Sequence, residues 1–333
     1  MRGPIRSPRI AALCVLGKRA HRVFVNKPRS ELLIAAATAV AEDSAWQNLD
    51  AMLLPGAYFR LSAYIGDKKH PTRTRLLAKE SFMPAVRRAA ASMANTSPGS
   101  LLVFGADSAS PRRWEFGDQL CIGFGSDGIV GLARKVIPSN PDTIHCKRVY
   151  VPALADYSSP HRFVTLPSGH KAVLNSCFDM FGICGDPAML GKRGSPIRDL
   201  WLPNGKCPRV EESGFKSLRE QALQDWQALL DEYRPTLALA AIHAFKLPGR
   251  DGYWQRHGLA VASAALQGGL AIGAAHFEEK LPQANQSPLA AMNVPREALA
   301  EGPKRGPYRL QPLAAKTIQV GNQTALLRLY GAE

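Results

Sequence analysis

The sequence predicts a layered α/β protein, on three observations. Apolar runs of strand length alternate with helical stretches in the early and late parts of the chain, and the middle supplies short strands joined by turn residues. The composition, 46% hydrophobic and 21% charged over 333 residues, is enough to bury a large core. It excludes wholesale disorder and collagen-like repeats, and length allows one large domain or two smaller ones.

Arg9–Leu16 is an apolar strand, followed by a helical stretch over Ser30–Ala37 in which Ser30 is placed as the cap. Asp50–Leu54 is a short strand stopped by Pro55-Gly56. A helix over Ser81–Met93 leads through Ser97-Pro98-Gly99 into the strand Leu101–Gly105. Short strands follow at Gln119–Gly125, Ile129–Val136, Arg162–Leu166 and Lys171–Ser176, with hairpin turns at Ser126-Asp127-Gly128 and Pro167-Ser168-Gly169. Alternation then resumes with a helix over Leu218–Tyr233, the strand Leu237–Ile242, a helix over Trp254–Leu266 and the strand Leu270–Ala275. Leu218, Ala222, Trp226, Leu229, Leu230 and Tyr233 share one helical face, a core stripe. Thr317–Tyr330 reads as a hairpin about Gly321-Asn322, while 185–216 and 280–316 are irregular and rich in Pro or polar residues.

Charge and targeting signals narrow the partners. The chain has 42 Lys or Arg and 27 Asp or Glu, a formal +15, and more than half of the excess lies in residues 1–30, which hold no acid. Such a surface suits anionic partners or plain solubility. A nucleic-acid binder remains an alternative that is not favoured, because no helix-turn-helix, RNA-recognition or zinc signature is present. Ile10–Leu16 is too short for a signal peptide and lacks a cleavage site; Gly258–Phe277 is uncharged but divided by Gln267-Gly268-Gly269, so no membrane span is expected. Six cysteines (Cys14, Cys121, Cys146, Cys177, Cys184, Cys207) form no CxxC pair, which points to free thiols in a reducing, cytoplasmic setting and to no metal site.

The candidate chemistry centres on Cys177, which ends the apolar strand Ala172–Ser176 and precedes Phe178-Asp179. A thiol at the end of a buried strand is placed as α/β proteins place catalytic groups, and equally as they place inert buried cysteines. Lys135, at the end of the strand that begins at Gly128, supplies a cation that would lower the thiol's pKa and stabilise an oxyanion.

Asp127–Pro138, with Arg134-Lys135, and Thr165–Asp179, in which a small-residue turn and an apolar strand deliver Cys-aromatic-Asp, resemble the lysine and cysteine motifs of the carbon–nitrogen hydrolase, or nitrilase-like, superfamily. The Lys135-to-Cys177 spacing is similar to the family's, Asp50–Pro55 resembles its first motif strand, and Trp254-Gln255-Arg256 opens a similar later α/β portion. The resemblance covers roughly residues 9–277. It implies a four-layer α-β-β-α sandwich over 1–280, with 185–216 as an irregular insertion and 281–333 as a Pro-rich extension ending in the hairpin. It also implies association into a homodimer, no cofactor, and a small amide or nitrile substrate that Cys177 attacks to form a thioester, with Lys135 and the Phe178 N–H binding the oxyanion.

One departure matters. Where the family has its general-base glutamate after the proline of the first motif, this chain has Gly56. Two auxiliaries are available: Asp156, about where the family often carries a second acidic residue, which would orient Lys135 or simply serve a turn, and His243, after the strand Leu237–Ile242, which would serve the site or be a satisfied core or rim histidine. The expectations are therefore a divergent hydrolase, slow or inactive, or a non-catalytic ligand- or partner-binding relative; Gly56→Glu would separate them by restoring the carboxylate.

Overall fold

The computed structural model describes residues 6–17, 25–66, 68–109, 117–135, 156, 159–182, 213–245, 252, 254–266, 269–278, 289, 291–299 and 308–331. The strands are β1 (Arg9–Leu16), β2 (Ala51–Leu53), β3 (Phe59–Arg60), β4 (Leu101–Asp107), β5 (Gln119–Gly125), β6 (Gly128–Arg134), β7 (Phe163–Thr165), β8 (Lys171–Ser176), β9 (Leu237–Phe245), β10 (Leu270–Phe277), β11 (Met292–Asn293), β12 (Ala314–Val320) and β13 (Gln323–Gly331). The helices are α1 (Lys27–Ala41), α2 (His70–Leu77), α3 (Met83–Ala94), α4 (Ser213–Tyr233) and α5 (Ala260–Ala265), the last entered through a π-turn at Gln255–Leu259.

One continuous sheet runs β6-β5-β4-β2-β1-β10-β9-β8-β7 and folds back on itself. Side-chain alternation along its strands shows the layering. On β1, Ala11, Leu13 and Val15 point outward, joining Met52, Leu102, Phe104, Ile122 and Leu327 against Leu32, Leu33 and Ala36 of α1 and Val86 and Met93 of α3. Ile10 and Ala12 point the other way, into an inner cluster where Leu53, Val103 and Cys121 of one half meet Leu174, Leu239 and Ile272 of the other. The outer face of that second half packs Ala238, Ala240 and Phe277 on Trp226 of α4 and Val261 and Ala264 of α5. Helices, half-sheet, half-sheet, helices: the four layers are present.

The central strands read as continuous apolar runs because both of their faces are covered. The predicted hairpin turns close β5–β6 and β7–β8, both antiparallel. The C-terminal hairpin is built into the sheet rather than appended to it: β13 pairs antiparallel along the whole of β1, from Arg9↔Gly331 to Leu16↔Thr324. Helix α1 begins at Lys27 with Pro28 in its first turn, three residues before the expected cap; Asn26 precedes it and Ser30 lies inside. Buried Asp50 ties the strand ends together, accepting from Arg9 N at 2.8 Å and Ser168 N at 2.7 Å and pairing with Arg6 at 3.0 Å. No helix among the described residues is long and apolar enough to cross a membrane.

Candidate active site

The sheet register brings the site together. β8 runs parallel to β9 with Ser176 opposite Ala241, so Cys177, the next residue, emerges beside the end of β9 and its His243. The chain turns sharply there: Cys177 has φ +50°, a left-handed conformation that a non-glycine residue adopts at a cost of about 1–3 kcal/mol. Lys135 follows the last residue of β6, held in line by its N–H donating to Gln119 O at 2.8 Å, and its side chain is buried. The lysine, the thiol and the histidine that the sequence singled out thus converge.

Their electrostatics favour a thiolate. Burial pushes the Cys177 thiol up, but the Lys135 ammonium and then His243 act against burial and hold it below its ordinary value. The same comparison fails for Cys121, where burial dominates and the thiol is pushed up to about 12, so that thiol is inert. His243 moves the opposite way: burial lowers it, and the Asp107 carboxylate followed by Cys177 raise it well above the usual imidazole value.

Asp107 is the residue that sequence reasoning missed. The strand expected to stop at Gly105 continues to Asp107, whose Oδ2 accepts from His243 Nε2 at 2.8 Å. The other ring nitrogen, Nδ1, is buried and completes a full hydrogen bond with none of the described groups. The imidazole lies close enough to Cys177 for each group to shift the other's ionisation. A carboxylate at the C-terminal end of a central strand was the available signal for Asp107.

Gly56 explains why a histidine fits here. Its N–H donates to Ile242 O at 2.9 Å, and a Cβ on it would lie 2.8 Å from Ala241 O and 2.9 Å from His243 Nδ1. The imidazole fills the space that a side chain at 56 would enter. Position 56 therefore has no room for a glutamate while His243 stays in place, which overturns the expectation that Gly56→Glu simply restores a missing group.

Asp156 sits elsewhere in the charge network. Its carboxylate meets Arg73 at 2.6 Å and Arg134 at 3.1 Å, and Arg134 also pairs with Asp118 at 2.9 Å. Its expected partnership with Lys135 gives way to these two guanidinium contacts. Arg162 completes the surround, donating to Asp179 Oδ2 at 2.8 Å, two residues beyond Cys177, and to Arg134 O at 2.5 Å. Glu80 is spent on a loop, accepting from Ser62 N and Oγ, while Glu115 lies outside the described residues. Phe178 is in the turn directly after Cys177. Among the described residues no cluster of His, Cys, Asp and Glu is able to hold a metal ion.

Fold and site together define a four-layer α-β-β-α sandwich with a buried cysteine that a lysine and a histidine act on. No protein-family model matches the chain, and no curated protein matches it. Among solved structures, it is similar to a glutamine-dependent NAD(+) synthetase from Cytophaga hutchinsonii, at 10% identity and a TM-score of 0.42 over 83% of this chain and 37% of that one. The synthetase from Acinetobacter baumannii, in complex with ADP, gives 11% identity and a TM-score of 0.41 over 80% and 38%. An N-terminal amidase with a Gln-Val peptide gives 9% and 0.35 over 78% and 54%. The chain spans less than half the length of either synthetase.

Proposed function

We propose that the chain is a divergent carbon–nitrogen hydrolase that cleaves a small amide through a Cys177 thioester, with His243 in place of the family's glutamate. The observation that supports it is the convergence of Lys135 and His243 on one buried thiol whose ionisation both favour.

The mechanism follows from that arrangement. Cys177 thiolate attacks the amide carbon, and the carbonyl π pair moves to oxygen, where the Lys135 ammonium and the Phe178 N–H receive the charge. His243, already an imidazolium, gives its Nδ1 proton to the departing nitrogen as the C–N bond breaks, leaving a thioester and a neutral imidazole. That imidazole then takes a proton from water as the hydroxide attacks, and collapse expels the thiolate and the acid product. Absence of a general base costs on the order of 10² to 10⁴ in rate, so His243 carries a large part of the turnover. The non-catalytic reading draws its support from Gly56; the imidazole seated against that glycine supports the hydrolase reading instead.

The test is selective chemistry at Cys177. Iodoacetamide labels Cys177 ahead of the other cysteines, and intact-mass analysis during turnover of an amide panel traps an acyl adduct that Cys177→Ala lacks. Uniform slow labelling with no adduct on any amide sinks the proposal.

A further inference from the structure

The sheet puts Asp107 and His243 on strands from opposite halves, and a single short segment joins those halves beneath them. Gly105 N donates to Pro55 O at 3.0 Å from β4, while Gly56 N donates to Ile242 O at 2.9 Å on β9. Pro55-Gly56 is thus a backbone bridge between β4 and β9. The bridge is tight: a Cβ at Gly105 would fall 2.3 Å from Gly56 Cα and 2.6 Å from Pro55 O. Two glycines in contact allow this approach, and buried His276 reinforces it by donating Nε2 to Gly56 O at 2.9 Å. Asp107 lies two residues beyond Gly105 and so on the same face of β4, and His243 directly follows Ile242, the bridge's acceptor. The Asp107–His243 hydrogen bond spans the same two strands one step above the bridge.

We propose that Asp107 is a positioning residue that fixes the His243 ring and keeps it protonated, so that the proton-transfer device has moved from the strand end at Gly56 to a side-chain pair clamped across the two half-sheets. The proposal rests on the hydrolase reading for its purpose but not for its detection. Three features support it. The Nε2–Oδ2 contact of 2.8 Å leaves Nδ1 alone able to serve Cys177. The volume a family-type side chain would need at 56 is taken by the ring itself. Asp107 Oδ1 is buried and unpaired among the described residues, so the carboxylate's hydrogen bonding there is directed to the histidine and not shared among several donors. The charged groups that act on the ring are Asp107 and Cys177, and Lys135 acts on the thiol. A carboxylate that holds imidazolium beside a thiol is the orienting third member of a nucleophile–base pair.

The pH profile of Cys177 alkylation by iodoacetamide tests this without any substrate. In wild type the rate inflects below the ordinary thiol range. In Asp107→Asn, which preserves shape, the inflection moves up by about one unit or more, a loss of rate of about tenfold at pH values below the wild-type inflection, and Asp107→Glu recovers part of it. A folded Asp107→Asn protein, checked by circular dichroism and melting, whose profile matches wild type overturns the proposal. Should that variant not fold, wild type labelled with ¹⁵N-histidine decides: a His243 signal, assigned by its loss in His243→Gln, that keeps its charge well above the ordinary value supports the proposal, and titration near about 6.5 overturns it. If the alkylation shift appears but no amide yields an acyl adduct, the hydrolase reading falls while the role of Asp107 stands.

Discussion

Gly56 and His243 are complementary in volume: a single carbon added to Gly56 would lie 2.9 Å from the imidazole Nδ1 and 2.8 Å from the Ala241 carbonyl. The neighbour on one side is backbone in the middle of a sheet and cannot move away, so the ring must move. Gly56→Ala is therefore expected to destabilise the protein by about 1–3 kcal/mol, as overpacking does, and to slow Cys177 alkylation by displacing Nδ1. Gly56→Glu is expected to abolish turnover rather than create it. A gain of amidase activity in Gly56→Glu with an unmoved His243 would contradict this; denaturant midpoints and alkylation rates on both variants decide.

The ionisation of the pair sets a pH window. His243 is raised in the folded state, so its contribution to stability is full below its ordinary value near 6.5 and is lost as pH rises through the raised value. Cys177 is lowered, so its contribution is present above its ordinary value and is lost as pH falls through the lowered one. Thiolate and imidazolium coexist between the two limits. Turnover is expected to be bell-shaped, since it needs both, with macroscopic limits that belong to the pair. Alkylation needs only the thiolate and is expected to rise to a plateau with no alkaline fall. Two superimposable profiles would show that the thiolate acts without an imidazolium acid.

Much of this was legible in the sequence, for identifiable reasons. Leu237–Ile242 and Leu270–Ala275 announced themselves as strands because burial on both faces makes them continuously apolar, and Cys177 and Lys135 stood at strand ends where local motifs mark them. Asp107 did not, because its importance comes from β4 approaching β9 across the Pro55-Gly56 bridge, a contact between residues far apart in the chain. The partners of Asp156 were hidden for the same reason: Arg73 reaches its carboxylate from α2, far away in the chain. The glycine at 56 read as a loss, and only the three-dimensional neighbour showed that another residue fills the space.

Arg162 and Asp179 form an ion pair with both side chains almost fully enclosed, at 1% and 0% exposure. Arg162→Met removes the guanidinium from a buried carboxylate two residues from Cys177, and breaking such a pair costs about 3–5 kcal/mol. The double variant Arg162→Met with Asp179→Leu is expected to recover a large part of that loss, because it no longer buries a charge that has lost its guanidinium. Urea denaturation of the single and double variants measures both. Equal losses in the two would mean that packing, rather than the lost ion pair, sets the cost.

Lys135 has two effects on Cys177 that one substitution separates from folding. As a buried cation it lowers the thiol's pKa, and in the proposed reaction its ammonium would also receive the oxyanion. Lys135→Met keeps most of the volume and removes the charge, so the alkylation inflection is expected to move up while acylation falls by a further 10² to 10³, the usual cost of one oxyanion donor. Measuring acyl-adduct formation at a pH where the variant's thiol is fully ionised removes the first effect and leaves the second. Lys135→Arg is expected to restore the inflection better than the acylation rate, because a planar guanidinium keeps the charge but spreads it over a fork that does not match a single oxygen. If acylation at full ionisation equals wild type in Lys135→Met, the lysine acts on the thiol alone, and the oxyanion must be held by backbone N–H groups.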